Sequence, residues 1–121
     1  MGEITIERVY DYREDPQRAG AVFLVDRLWP RGVSKEDLDG VAWEQEVAPS
    51  PNLRIWFGHR ADRFAEFTAR YRSELDGHPE RAEKILEAAR SGPVTLLYAA
   101  KDTEVNHALV LKAWLDEQDT E

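Results

Sequence analysis

Residues 21–25, Ala-Val-Phe-Leu-Val, form an unbroken apolar run between Gly20 and Asp26. A strand with one wet face alternates apolar and polar side chains, so a continuous run reads as a strand buried on both faces. Such a strand belongs inside a covered sheet. Val94-Thr95-Leu96-Leu97-Tyr98-Ala99-Ala100 reads as a second strong strand. Helical periodicities fill most of the chain between them. Strands separated by helices favour an open, mostly parallel sheet with helices on its faces.

The remaining elements follow from local signals. Ile4 to Tyr10 alternates and predicts a first strand, with a loop over 11–20. Ser34 suits the cap of a short helix over Lys35 to Leu38. Val41-Ala42-Trp43, with Val47, is a candidate short strand. Ser50 and Pro51 suit the N-cap and first position of a helix that runs to about Phe57 and stops at Gly58. Residues 60–76 read as a helix with Phe64, Phe67, Tyr71 and Leu75 on its core face. Residues 79–91 read as another, with Ala82, Ile85, Leu86 and Ala89 inward. A last helix is expected to open at Lys101-Asp102-Thr103, capped by Asp102 or Thr103, and to reach about Leu115. That helix is apolar nearly all round, which predicts deep packing or a homodimer contact. The acidic stretch 116–121 opposes the helix dipole and is expected to fray. The expected architecture is one small α/β domain over residues 1–121, with about four strands.

Charge and composition narrow the function. The chain has 121 residues, 16 basic and 24 acidic, for a net charge of −8. A duplex nucleic-acid face needs clustered Lys and Arg, so that class is not expected. There is no cysteine, which excludes disulfides, thiolate zinc sites, iron–sulfur clusters and a cysteine nucleophile. No signal-peptide pattern opens the sequence, and no apolar stretch approaches the ~18 residues that span a bilayer. The expectation is a cytoplasmic protein with no membrane partner.

Three segments carry the candidate chemistry. In open α/β sheets, ligands sit beyond the C-terminal ends of the strands. Asp26-Arg27-Leu28-Trp29-Pro30-Arg31-Gly32 follows one strong strand. Its Arg27 and Arg31 suit a carboxylate or phosphate, and Trp29 suits a planar group. The competing reading is a structural ion pair of Asp26 with either arginine. The second segment, Pro49 to His59, begins a helix whose free N–H groups suit an anion. Arg54 lies one turn in, and His59 follows the helix end. The third offers Lys101 and Asp102 at the other strand end, with His107 in the second turn of the expected last helix. No G-x-G-x-x-G, P-loop or G-x-S-x-G motif occurs. The cofactor, if any, is left open by the sequence, and no metal-ligand spacing is recognisable.

Taken together, the segments Val25 to Gly32, Ala48 to His59, and Thr95 to Asp102 with Asn106-His107-Ala108 resemble the YeaO-like branch of the proteins called domain of unknown function 488. The resemblance spans nearly the whole chain. It implies a small stand-alone α/β protein and no particular reaction. Other branches of the family look as if they carry a Cys-His-Arg-like step after the last strand. This chain has Asn106-His107-Ala108 there, so thiol chemistry does not carry over and His107 is the element retained.

The leading expectation is a pocket for a small anion, a nucleotide or phosphorylated metabolite, at the strand ends. Arg27, Trp29, Arg31 and Arg54 would bind it. Asp26, His59, Lys101, Asp102 and His107 are the candidates for proton transfer. The alternatives are a non-catalytic homodimeric interaction module and a metal-dependent enzyme using His59 and His107.

Overall fold

The computed structural model describes residues 2–118. Its centre is a four-stranded sheet: β1 (Ile4–Arg8), β2 (Ala21–Leu24), β3 (Ala42–Trp43) and β4 (Val94–Tyr98). The spatial order is β1-β4-β2-β3, and every pairing is parallel. The two strong apolar runs are therefore neighbours, with Leu24 opposite Leu97. The fold is α/β, as the sequence predicts.

The strands alternate between two cores of unequal size. Ile4, Phe23, Val25, Val94, Leu96 and Tyr98 face the larger one. This core is completed by α2 (Pro51–Phe57), α3 (Phe64–Gly77), α4 (Glu83–Ser91) and α5 (His107–Glu117). Leu24 and Leu97 face the smaller one, covered by Val9, Tyr12, Val33 and Leu38. The four longer helices thus share one face. The other face is closed by the single turn α1 (Val9–Tyr12), a 3-10 turn at Glu36–Leu38 and the loop between β2 and β3.

Local signals explain most boundaries. Ser50 Oγ accepts from Leu53 N, Pro51 holds the first helical position, and Gly58 ends α2 at φ 53°. Phe67, Tyr71 and Leu75 are buried at four-residue spacing along α3, and Ile85, Leu86 and Ala89 are buried on α4. Ser34 and Asp37 bond reciprocally through Oγ, Oδ2 and their backbone N–H groups, a capping-box arrangement.

Three expectations are corrected. The first strand stops at Arg8, because Val9 and Tyr12 are buried three residues apart and form a helical turn instead. Val47 lies in a 3-10 turn, Gln45–Val47, rather than in β3. The last helix begins at His107, not at residues 101–103. Asp102 Oδ1 accepts from Glu104 N and Val105 N, closing a local turn. The buried Asn106 is the cap and accepts from Leu109 N. His107 is consequently the first residue of α5. The helix continues to Glu117, past the expected end at Leu115. Residues 119–121, part of the stretch expected to fray, lie outside the described residues.

The apolar character of α5 has an internal explanation. Ala108, Val110, Leu111, Trp114 and Leu115 are all buried within the chain itself. Trp114 Nε1 donates to Asp76 on α3 at 2.9 Å. Deep packing, the first of the two readings, accounts for the composition.

Candidate functional site

The adjacent ends of β2 and β4 feed two loops, residues 25–33 and 99–106, and a cavity of about 640 Å³ opens between them. Ala48, Pro49, Arg54, Phe57 and His59 on and beside α2 close a further side, and Tyr10 and Phe67 contribute as well. Volumes of about 300–1,000 Å³ suit small organic ligands. Each of the nine candidate residues lines this one cavity: Asp26, Arg27, Trp29, Arg31, Arg54, His59, Lys101, Asp102 and His107.

The cavity has an ordered floor. Asp26 Oδ2 accepts from Ala99 N at 2.9 Å, tying the end of β2 to the end of β4. His107 Nε2 lies 3.0 Å from Val25 O and 3.2 Å from Asp26 Oδ1. A carbonyl only accepts, so Nε2 carries a hydrogen. That hydrogen is directed at Val25 O, and Asp26 Oδ1 is left buried without an aligned hydrogen bond. Both side chains are 15% exposed. Tyr71 lies below, its ring 6.3 Å from that of His107 and its hydroxyl donating to Val47 O at 2.6 Å. Burial holds the Tyr71 hydroxyl well above its ordinary pKa, and the Glu74 and Asp26 carboxylates push the same way.

The 25–33 loop is pinned from several sides. Trp43 Nε1 donates to Asp26 O at 2.7 Å, and Trp29 Nε1 donates to Val33 O at 2.7 Å. Tyr10 Oη donates to Arg31 O, and Arg13 donates to Gly32 O, both at 2.9 Å. Gly32 sits at φ 78° in the turn closed by Val33 N and Pro30 O. A side chain there would be strained, which explains the glycine after Arg31. Trp29 and Trp43 meet edge to face, 5.3 Å apart. These contacts fix the wall from within the chain.

The cations divide into two kinds. Arg27 is engaged: it pairs with Glu46 at 3.4 Å and donates to the carbonyls of Ala48 and Pro49. It holds the 44–49 segment in place, although its buried Nε has no partner among the described residues. Arg31, Arg54 and Lys101 are exposed and have no carboxylate partner among the described residues. These three are the cations able to meet an incoming anion.

The α2 N-terminus serves differently from the sequence reading. Glu74 of α3 already occupies it, accepting from Ser50 N at 2.9 Å and from Ser50 Oγ at 2.6 Å. The protein supplies its own anion there, so α2 contributes Arg54 rather than its N–H groups. His59 is exposed and left-handed, with φ 59°, directly after Gly58. Its ring lies 6.1 Å from Phe57. Asp102 is exposed, with Oδ1 turned into its own loop. Among the described residues, no group of three or more His, Asp and Glu side chains is arranged to hold a metal ion.

Sequence reasoning overlooked three residues. Tyr10 lines the cavity, with the Arg8 and Arg13 guanidiniums 5.1 and 5.2 Å from its ring centre. Asn106 caps α5 from the cavity wall. Glu74 fills the α2 N-terminus. Only Asn106 carried a local signal, three residues before the amide that it caps.

These observations define a small α/β protein with one parallel sheet and a cavity at the C-terminal ends of its strands. The chain belongs to the YeaO-like branch of the domain of unknown function 488 proteins: the family model described as the inactive DUF488-N3 subclade matches residues 3–121. It is 45% identical to the uncharacterised protein YeaO of Escherichia coli (strain K12) over 112 residues, covering 93% of this chain and 96% of that protein. It is 39% identical over 113 residues to an uncharacterised protein of Mycobacterium tuberculosis (strain H37Rv), covering 93% of each. No solved structure matches. No helix among the described residues is long and apolar enough to cross a membrane.

Proposed function

We propose that the chain binds a small anion in the cavity beyond β2 and β4, and that binding rather than turnover is its role. One observation carries this reading: Arg31, Arg54 and Lys101 line the cavity with no carboxylate partner among the described residues. In a chain of net charge −8, unpaired cations gathered around a concavity raise the local concentration of anions. The family's description as an inactive subclade agrees with a binding role. The absence of cysteine supports a reducing compartment such as the cytoplasm.

A second reading, acid–base catalysis, draws support from the 3.2 Å approach of Asp26 to His107 on the cavity wall. With Nε2 directed at Val25 O, proton exchange with a ligand would pass through Nδ1.

Calorimetry with inorganic phosphate and a nucleotide panel tests the binding reading on the wild type and Arg31→Ala. The wild type binds, and the variant binds at least about 10-fold more weakly, as expected for a charge-assisted contact. No binding, or equal binding by both proteins, overturns it.

A further inference from the structure

The polar and apolar parts of the cavity together specify more than an anion. Arg27 is matched by Glu46, and Asp26 accepts from Ala99 N at the cavity floor. The wall charges left to meet a ligand are Arg31, Arg54 and Lys101 against Asp102, whose Oδ1 faces its own loop. Among the exposed charged side chains of the wall the surplus is two positive charges, above the part-buried Asp26 carboxylate. The same wall displays apolar side chains that the fold leaves open. Leu28 is 59% exposed and Trp29 36%. The only polar atom of the Trp29 side chain is already bonded to Val33 O, so this residue offers a ligand apolar ring surface.

We propose that the ligand is an amphipathic dianion, an organic phosphate monoester with a flat apolar body. The phosphoryl group meets Arg31, Arg54 and Lys101, and the body lies against Leu28 and Trp29. This inference rests on the anion-binding reading above and adds a ligand class to it. A phosphate monoester carries about −1.5 to −2 charges at pH 7 and three strong acceptor oxygens, which suits a surplus of two positive charges. Guanidinium groups match such oxygens with paired hydrogen bonds. Aromatic surface adds affinity for a flat body without requiring polar readout. Inorganic phosphate lacks the body, and a sulfate monoester of the same body lacks the second charge.

Calorimetry at pH 8 with phenyl phosphate, phenyl sulfate and inorganic phosphate separates the two requirements. Phenyl phosphate is expected to bind at least about 10-fold more tightly than either of the others. In Arg54→Ala, the preference for phosphate over sulfate shrinks. In Trp29→Ala, the preference for phenyl phosphate over inorganic phosphate shrinks. Parity with phenyl sulfate overturns the dianion, and parity with inorganic phosphate overturns the apolar body. Preferences unchanged in the two variants overturn the assignment of residues. If inorganic phosphate binds and phenyl phosphate does not, the ligand class fails while the anion site stands. If no anion binds at all, both fail.

Discussion

Asp26 and His107 meet across the junction of β2 and α5, with Oδ1 and Nε2 3.2 Å apart, while the other Asp26 oxygen holds Ala99 N at the end of β4. Three elements thus converge on one carboxylate. Asp26→Ala strands the Ala99 N–H. The expected cost is about 1–3 kcal/mol, read as a lower urea midpoint. Asp26→Asn keeps an acceptor for Ala99 and costs less. A midpoint unchanged in Asp26→Ala would show that the junction does not depend on this carboxylate.

Arg27 and Arg54 line the same cavity but are expected to behave oppositely on mutation. Arg27 donates to Ala48 and Pro49 carbonyls and is 18% exposed, so Arg27→Ala lowers stability by about 1–2 kcal/mol. Arg54 is exposed and bonded to no carboxylate among the described residues. Arg54→Ala leaves thermal unfolding within about ±0.5 kcal/mol of wild type and weakens anion binding about 10-fold or more. Paired unfolding and binding measurements on the two variants check this division.

Glu74 acts as the built-in anion of α2. Glu74→Ala removes the acceptor of both Ser50 N and Ser50 Oγ. The expected cost is about 1–3 kcal/mol, with Glu74→Gln milder because one acceptor remains. Circular-dichroism melts of the three proteins give the ranking, and equal melting temperatures would contradict it.

Alkaline pH is expected to destabilise the fold through its buried tyrosines. Burial raises both Tyr71 and Tyr98 above the ordinary tyrosine value. Above about pH 10, the unfolded chain releases these protons and the folded chain retains them. Stability is therefore fully present below that pH and is lost as pH rises toward the folded-state values. Tyr71→Phe forfeits the bond to Val47 O, about 1 kcal/mol at neutral pH, and flattens the alkaline decline. Denaturant titrations from pH 8 to 11 provide the check. An alkaline slope as steep as that of the wild type would exclude Tyr71 as a source.

The parts of this fold legible in the sequence were those set by local chemistry. The apolar runs at 21–25 and 94–98, the Ser50–Pro51 start and the Gly58 stop all depend on neighbours in sequence. The misread parts depended on competition between similar signals. Asp102 looked like a helix cap because Asp caps helices, yet its side chain closes a turn and Asn106 does the capping. Val9 and Tyr10 continued an alternating pattern, while the i, i+3 pair Val9 and Tyr12 set a helical turn. The nine candidate residues share one cavity because β2 and β4 are neighbours and both end there. Tyr10 and Glu74 were invisible because their partners, Arg31 and Ser50, come from distant elements. The different duties of Arg27 and Arg31 could not be read from two arginines in one loop.

Amide chemical-shift mapping by NMR during titration with phenyl phosphate tests the central claim most directly. Binding at the β2–β4 edge predicts saturable shifts concentrated in residues 26–32, around Arg54 and His59, and across 99–107. The outer surface of α4 should stay silent. Shifts confined to other surfaces, or none at millimolar ligand, would contradict the claim that this cavity is the functional site.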